Sequence, residues 1–274
     1  MKKSSVSVLI PTYKEPEVLD ICLRSCIEGC SDLSQIEIIV GVDGFYEENK
    51  SVLDKWSKYI KLLIMDENVG LNRMTNLLVY NSTSPLFLLV NDDNLFGWEW
   101  DKKLLRDYKD NSILTPNQIE PIPSIFPQFV IENLGRDPLT FDLEKYWEYE
   151  KTVNKDKLDP SGSTFPIMMA KIDFLRIGGW NEQYPGPWVC DLDLFLRASL
   201  SYIKTIRTYS THFYHFVSIG TRSPEREEAN REIEAQCHKT FEYIWGERVQ
   251  KDSNNTMRLS NSNSMIFGGR KYLS

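Results

Sequence analysis

The first 93 residues alternate short β-branched apolar runs with longer segments whose apolar residues fall three and four apart. A period of two suits a strand and a period near 3.6 suits one face of a helix, so the alternation points to a βαβ architecture. Residues 6–10 read as the first strand, stopped by Pro11. Residues 15–28 read as a helix with Leu19, Leu23, Cys26 and Ile27 on one face. Strands follow at 37–42, 60–65 and 86–90, with helices at 47–58 and 71–80 between them. Right-handed crossovers give such units a mostly parallel sheet, whose ligands sit beyond the carboxyl ends of the strands. The residues at those ends are Pro11-Thr12-Tyr13, Asp43-Gly44, Asp66-Glu67-Asn68 and Asn91-Asp92-Asp93-Asn94. Asp, Asn and Gly populate turns in any protein, but four such loops gather acids and amides on one edge.

At 274 residues the chain can hold one large α/β domain or two small ones, and its formal charge is -7. That balance argues against nucleic acid as the main partner, because gripping phosphate backbones takes a basic face. The cysteines are odd in number, and Cys22, Cys26 and Cys30 recur every four residues along the first helix. This is a packing pattern rather than a disulfide framework, with a thiolate metal site as the alternative. The longest apolar run, residues 85–90, falls far short of the roughly 20 residues that a bilayer-spanning helix needs. The start of the chain carries no apolar signal-peptide region, so the expectation is a cytoplasmic protein.

From 117 to 162 the pattern weakens among Pro121, Pro123, Pro127 and Pro138 and scattered aromatics, a stretch expected to be functional or to hide a partial helix. Strand character returns at 165–170, then the turn Gly178-Gly179-Trp180-Asn181 and a helix from near Asp191. Strands are expected at 203–209 and 212–217, and a charged helix at 224–246 with Ile233, Cys237, Phe241 and Ile244 as its apolar stripe. After Lys251 a Ser/Asn-rich tail reads as mobile. The division expected is one α/β domain over 1–222, in two halves that meet at 95, followed by a helix and tail over 223–274.

Asp92 and Asp93, adjacent on a turn after a buried strand, repel unless a cation or proton relieves them. Mg²⁺ and Mn²⁺ suit one or two carboxylates completed by waters and a substrate's phosphates. Asp193 and Arg197, four apart on a helix, can pair. Asp191 at the helix start is either a cap or a general base for an attacking hydroxyl. His212 and His215 are an odd number apart, so on a strand they face opposite sides and one at most reaches a shared site; an imidazole there would serve as a third ligand for Mn²⁺.

In their order and spacing, Val6-Ser7-Val8-Leu9-Ile10-Pro11-Thr12-Tyr13, Asp43-Gly44, Asn68-Val69-Gly70, Asn91-Asp92-Asp93, Gly178-Gly179-Trp180-Asn181-Glu182 and Asp191-Leu192-Asp193-Leu194-Phe195-Leu196-Arg197 resemble family-2 glycosyltransferases of the GT-A fold. The resemblance runs from about residue 5 to 220. It implies an inverting transfer of a sugar from a nucleotide-diphosphate donor, UDP favoured, to a hydroxyl of a glycan or lipid-linked acceptor, with a divalent metal, Mn²⁺ or Mg²⁺. It implies a nucleoside pocket lined by Pro11, Thr12, Tyr13 and Glu15, with Asp43 accepting from the base. Asn68, Arg73 and Asn76 fall among the donor contacts, Asp92 contacts ribose or sugar, and Gly179 and Trp180 lie beneath donor and acceptor. Metal ligation falls to Asp93, Asn91 and His215, and the catalytic base is Asp191. The chain departs from the pattern at Asn91, Val42 and Cys190, where relatives carry acids, and at Thr75, where many carry Arg. Arg73 is the candidate substitute. Peripheral membrane association and a homo-oligomer are both compatible with the charged C-terminal helix.

Two rivals remain. A sugar-1-phosphate nucleotidyltransferase wants a Gly-rich basic loop after the first strand, where Pro11-Thr12-Tyr13-Lys14-Glu15 stands; Gly220-Thr221-Arg222 comes far too late. A non-catalytic module that binds sugar nucleotide or glycan, with the aromatic-rich stretch from Phe126 to Tyr149 as a stacking surface, would not need an ionised Asp191 near a hydroxyl, and the acids at Asp93 and Asp191 speak against it.

Overall fold

The computed structural model describes residues 5–124, 126–217, 227–246, 249–251 and 257–259. In chain order the elements are β1 (Val6–Thr12), α1 (Pro16–Glu28), β2 (Ile36–Asp43), α2 (Tyr46–Trp56), β3 (Ile60–Met65), α3 (Leu71–Asn81), β4 (Leu86–Leu89) and β5 (Asn94–Leu95). There follow α4 (Trp100–Asp107), β6 (Ser112–Glu120), β7 (Val130–Ile131), α5 (Leu143–Val153), β8 (Leu158–Asp159), β9 (Ile167–Ala170) and α6 (Lys171–Arg176). The last are α7 (Cys190–Leu200), β10 (Lys204–His215), α8 (Glu227–Trp245), β11 (Val249–Lys251) and β12 (Met257–Leu259).

One sheet runs β3-β2-β1-β4-β9-β6-β10-β5, with β7 beside β6 and β8 beside β10. The β3-β2-β1-β4 half is parallel, as is β6 with β10, while β9 runs antiparallel between the halves. The crossovers go one way from β1 to β2 and β3 and the other way to β4, which makes the end of β1 and β4 the topological switch point, where a ligand crevice opens. Pro11 does not end β1, which continues in register with β2 to Thr12. Leu9 O accepts from Val90 N on the β4 side, so the N–H that Pro11 lacks faces that same side, beyond the end of β4 at Leu89. A missing donor costs no ladder bond there.

Side chains alternate across the sheet into two cores. Leu9, Ile39 and Phe87 face α3, α6 and α7 with Met74, Leu78, Phe174, Leu192 and Phe195. Val8, Ile10 and Val40 face α1 and α2 with Leu19, Cys22, Cys26 and Leu53. Cys22 and Cys26 are fully buried packing residues of that second core, Cys30 lies at its margin, and all three are free thiols. The helix α8 buries Cys237 and Phe241 in the first core, against α7. Among the described residues no helix is long and apolar enough to cross a membrane.

The stretch 117–162 contains the helix α5, capped by Asp142, whose side chain accepts from Lys145 N at 3.0 Å. It buries Leu143, Tyr146, Trp147 and Glu150. The two strands expected at 203–209 and 212–217 are a single strand, β10, with an irregularity between Thr208 and His212 where its register on β6 shifts. Past Lys251, β12 pairs antiparallel with β11; the rest of the expected tail, the start of the expected helix at 224–226 and Gly220-Thr221-Arg222 lie outside the described residues.

Candidate active site

At the switch point the loops after β1, β2, β3 and β4 enclose a cavity of about 300 Å³. Its lining includes Pro11 and Thr12 at the end of β1, Tyr13 and Glu15 after it, Asp43 at the end of β2, Asn68 and Gly70 before α3, and Asn91, Asp92 and Asp93 after β4. The turn after β2 needs Gly44, whose φ is +75° and where a Cβ would stand 3.1 Å from Asn68 N. That close approach lets the Asp43 carboxylate accept from Val69 N at 2.6 Å and Gly70 N at 3.1 Å. Burial pushes the Asp43 carboxyl upward, and these two N–H donors hold it back. Tyr13 meets Phe45 edge to face at a centroid distance of 4.9 Å, with the Lys14 ammonium 3.7 Å from the Phe45 centroid.

The two adjacent aspartates have different surroundings. Asp92 accepts from Thr12 Oγ1 at 2.7 Å, yet burial and then the neighbouring Asp93 charge raise its carboxyl to about 7. Asp93 Oδ2 lies 3.4 Å from His215 Nε2, and His215 Nδ1 lies 3.0 Å from Glu120 Oε1. Burial opposes charge on His215, but the Asp93 and Glu120 carboxylates outweigh it and raise the imidazole to about 10. Asp93 Oδ1 is buried without a hydrogen-bond partner among the described residues.

These features fit a divalent cation. Asp93 Oδ2 and His215 Nε2, 3.4 Å apart, would hold it, the cation taking the place of the proton that His215 otherwise carries. The orphaned Oδ1 adds a second hard oxygen. Among the described residues no group of three His, Cys, Asp or Glu side chains is arranged to hold a metal by itself.

A second cavity, of about 140 Å³, adjoins the first through Asn91, which lines both. Asp191, His215, Glu120, Gln118, Asn94 and Phe129 are in its wall. Asp191 sits in the first turn of α7, where Val189 in a left-handed conformation is the cap, and its Oδ1 accepts from Leu192 N at 2.9 Å. Burial raises its carboxyl to about 6, with the Leu192 N–H opposing. The carboxylate thus stays ionised near neutrality while keeping substantial basicity.

Other expected site residues stand elsewhere. Arg73 is exposed on α3 and lines neither cavity. Asn76 holds the turn after α6: its Nδ2 donates to Trp180 O at 2.8 Å and Glu182 Oε1 at 2.7 Å, and its Oδ1 accepts from Trp180 N at 2.8 Å. Gly179, at φ +71°, lies so close that a Cβ would come within 2.8 Å of that Oδ1. Asn76 and Trp180 border a shallow groove of their own with Tyr80 and Arg197. His212, on the other side of β10 from His215, is 1% exposed and bonds Asn154 through Nδ1; burial lowers it to about 3. Glu120 and Gln118 were absent from the sequence candidates. They stand at the polar end of β6, SILTPNQIE, whose burial shows only in the structure.

Comparison with known proteins bears on the family and the fold. The sequence model of glycosyl transferase family 2 matches residues 7–162. Among curated protein sequences none matches the chain. Solved structures with the same fold include S. aureus TarS, residues 1–349, at a TM-score of 0.57 and 13% identity over 88% of this chain and 74% of that one. The mannosyltransferase PcManGT from Pyrobaculum calidifontis, in complex with GDP-Man and Mn²⁺, gives 0.58 and 14% over 88% of this chain and 65% of that one. GalNAc-T7 with UDP, GalNAc and Mn²⁺ gives 0.57 and 12% over 85% and 48%. At such identities the structural likeness is one of fold, a mixed α/β sheet of the GT-A kind, and the sequence match spans more than half of the chain. On that match the chain belongs to glycosyltransferase family 2.

Proposed function

We propose that the protein transfers a sugar, with inversion at the anomeric carbon, from a nucleotide-diphosphate donor to a hydroxyl of a glycan or lipid-linked acceptor. The observation that carries this reading is the adjacency of two cavities, one rich in oxygen ligands and the other holding Asp191, joined at Asn91. The first is the donor site: Thr12, Tyr13, Asp43 and Asn68 surround the nucleoside, and UDP is the first nucleotide to test. Asp93 and His215 would hold a divalent cation there, with Asn91 beside them. When bound, such a cation neutralises charge on the departing diphosphate. Asp191 takes the proton from the acceptor hydroxyl, whose oxygen attacks the anomeric carbon opposite the leaving nucleotide. Of the two carboxylates in the second cavity, Glu120 is committed to His215, which leaves Asp191 for the proton. A single base suffices for inversion, since no enzyme carboxylate has to form a covalent intermediate.

The test is Asp191→Asn. We expect kcat to fall about 10²- to 10⁴-fold, the range for loss of a general base, with nucleotide affinity retained because Asp191 lies outside the donor cavity. Normal turnover would remove Asp191 from the mechanism.

A further inference from the structure

We propose that Glu120 is a positioning residue: by accepting the Nδ1 proton of His215 it holds that ring with Nε2 turned to Asp93, so that the pair is set to take a divalent cation. The proposal deepens the reading of Asp93 and His215 as the cation's residues and rests on it. Three observations carry it.

The first is the bond itself. His215 Nδ1 lies 3.0 Å from Glu120 Oε1, and His215 Nε2 lies 3.4 Å from Asp93 Oδ2. A carboxylate oxygen accepts, so Nδ1 is the nitrogen that keeps its proton in this contact, and the lone pair that a cation needs belongs to Nε2. Turning the ring over about its Cβ–Cγ bond would set carbons where both nitrogens now stand. At 3.4 Å the Asp93 contact is the looser of the two, so the choice between the two ring orientations falls to Glu120.

The second is the rigidity of the backbone beneath. Asp93, His215 and Glu120 stand in a row across neighbouring strands. On one side of β10, His215 is in register with Asn94 of β5, and Phe216 N donates to Asp93 O at 3.1 Å. On the other side, Tyr214 is in register with Ile119 of β6. Glu120 is in register with Ile131 of β7, and its carbonyl accepts from Glu132 N at 2.9 Å. A histidine carried on strands pinned in this way has only its ring orientation left to set, and a carboxylate behind the ring sets it.

The third is the division of labour between the two carboxylates around the ring. Asp93 is on the Nε2 side and keeps its Oδ1 buried without a hydrogen-bond partner among the described residues. Glu120 is on the Nδ1 side, and the two nitrogens of an imidazole point in divergent directions. Asp93 can therefore share a cation with Nε2, whereas Glu120 acts on that cation through the ring.

The test uses the full chain, labelled with ¹⁵N at histidine, beside Glu120→Ala, Glu120→Gln and His215→Ala. The chain has 3 histidines, so His215→Ala assigns the ring. Without metal, NMR should show a slowly exchanging Nδ1–H of His215 in the parent and in Glu120→Gln, whose amide oxygen still accepts, and should lose it in Glu120→Ala. Mn²⁺ titrations followed by electron paramagnetic resonance, without nucleotide and with UDP or GDP, should show affinity falling about 10- to 100-fold in Glu120→Ala. Glu120→Gln should stay nearer the parent, a rescue that mere loss of packing would not give. An Nδ1–H that survives in Glu120→Ala, Mn²⁺ bound as tightly by Glu120→Ala as by the parent, or Glu120→Gln no better than Glu120→Ala would overturn the proposal. If His215→Ala binds Mn²⁺ as well as the parent, the reading of His215 as a ligand fails and takes the proposal with it. Loss of the Nδ1–H in Glu120→Ala alongside that result would place the error in the metal reading and not in the contact between Glu120 and the ring.

Discussion

Asp193, two residues past the proposed base, is fully buried and accepts hydrogen bonds from three elements. Arg197 Nε and Nη2 each lie 2.7 Å from its Oδ2, Trp245 Nε1 of α8 donates to Oδ1 at 3.0 Å, and Tyr184 Oη does so at 3.4 Å. Arg197 in turn donates from Nη1 to the carbonyls of Ile177 and Gly179. One carboxylate therefore ties α8, α7 and the turn after α6 together around the Asp191 helix. Replacing it with alanine strands a partly buried guanidinium and an indole N–H. Loss of one partner of a buried ion pair costs about 3–5 kcal/mol. Because Arg197 keeps its two carbonyls, the lower end applies, about 3 kcal/mol, or a fall in Tm of roughly 6–12 °C. Urea denaturation should show the midpoint reduced at unchanged slope. Asp193→Asn, which still offers an oxygen acceptor, should cost less. A double-mutant cycle with Trp245→Phe should return a coupling above about 0.5 kcal/mol. A loss under 1 kcal/mol for Asp193→Ala would refute the argument that this carboxylate is a structural hub.

Two further outcomes concern pH. With the Asp191 carboxyl at about 6, kcat should fall as pH drops through that value, because the base must be ionised; an acid limb near 4 would contradict the assignment. Asp92, raised to about 7 from an ordinary 3.8, binds its proton more tightly folded than unfolded. The stability it contributes is therefore present below about pH 4 and lost as pH rises through 7. Asp92→Asn mimics the protonated form, so thermal melts should show it more stable than the parent at pH 8, by on the order of 1–2 kcal/mol, and similar at pH 4; a destabilised variant at pH 8 would be inconsistent with this account.

The nucleotide half was legible because β1 to β4 and α1 to α3 have clean periods, and because the loops closing a parallel sheet must lie on one edge. The boundary at Pro11 was misplaced because the missing N–H matters only where a neighbouring strand continues. The acceptor half was harder to read for physical reasons. In β6, Thr115, Asn117, Gln118 and Glu120 are buried polar residues, so the strand carries no apolar run; they are satisfied by contacts 11 to 95 residues away. The helix α5 does carry the spacing Leu143, Tyr146, Trp147 and Glu150, but its fourth buried position is a glutamate, which hides the stripe. Glu150 is buried because Thr211 and His212 of β10 donate to it. Asn76 and Arg73 show the converse: a sequence position can match a pattern while the side chain holds a turn or faces solvent.

The central claim, a nucleotide-sugar site that a divalent cation completes, is tested most directly by thermal unfolding. The full chain would be mixed with UDP, GDP, dTDP and CDP sugars, each with Mn²⁺, with Mg²⁺ and with EDTA, beside Asp93→Ala. Binding to the folded state raises Tm, by the equivalent of about 2.7 kcal/mol at a hundredfold excess over Kd. The account predicts a shift with one nucleotide family that requires the metal and is lost in Asp93→Ala. No shift with any nucleotide, or a shift that survives both EDTA and Asp93→Ala, would contradict it.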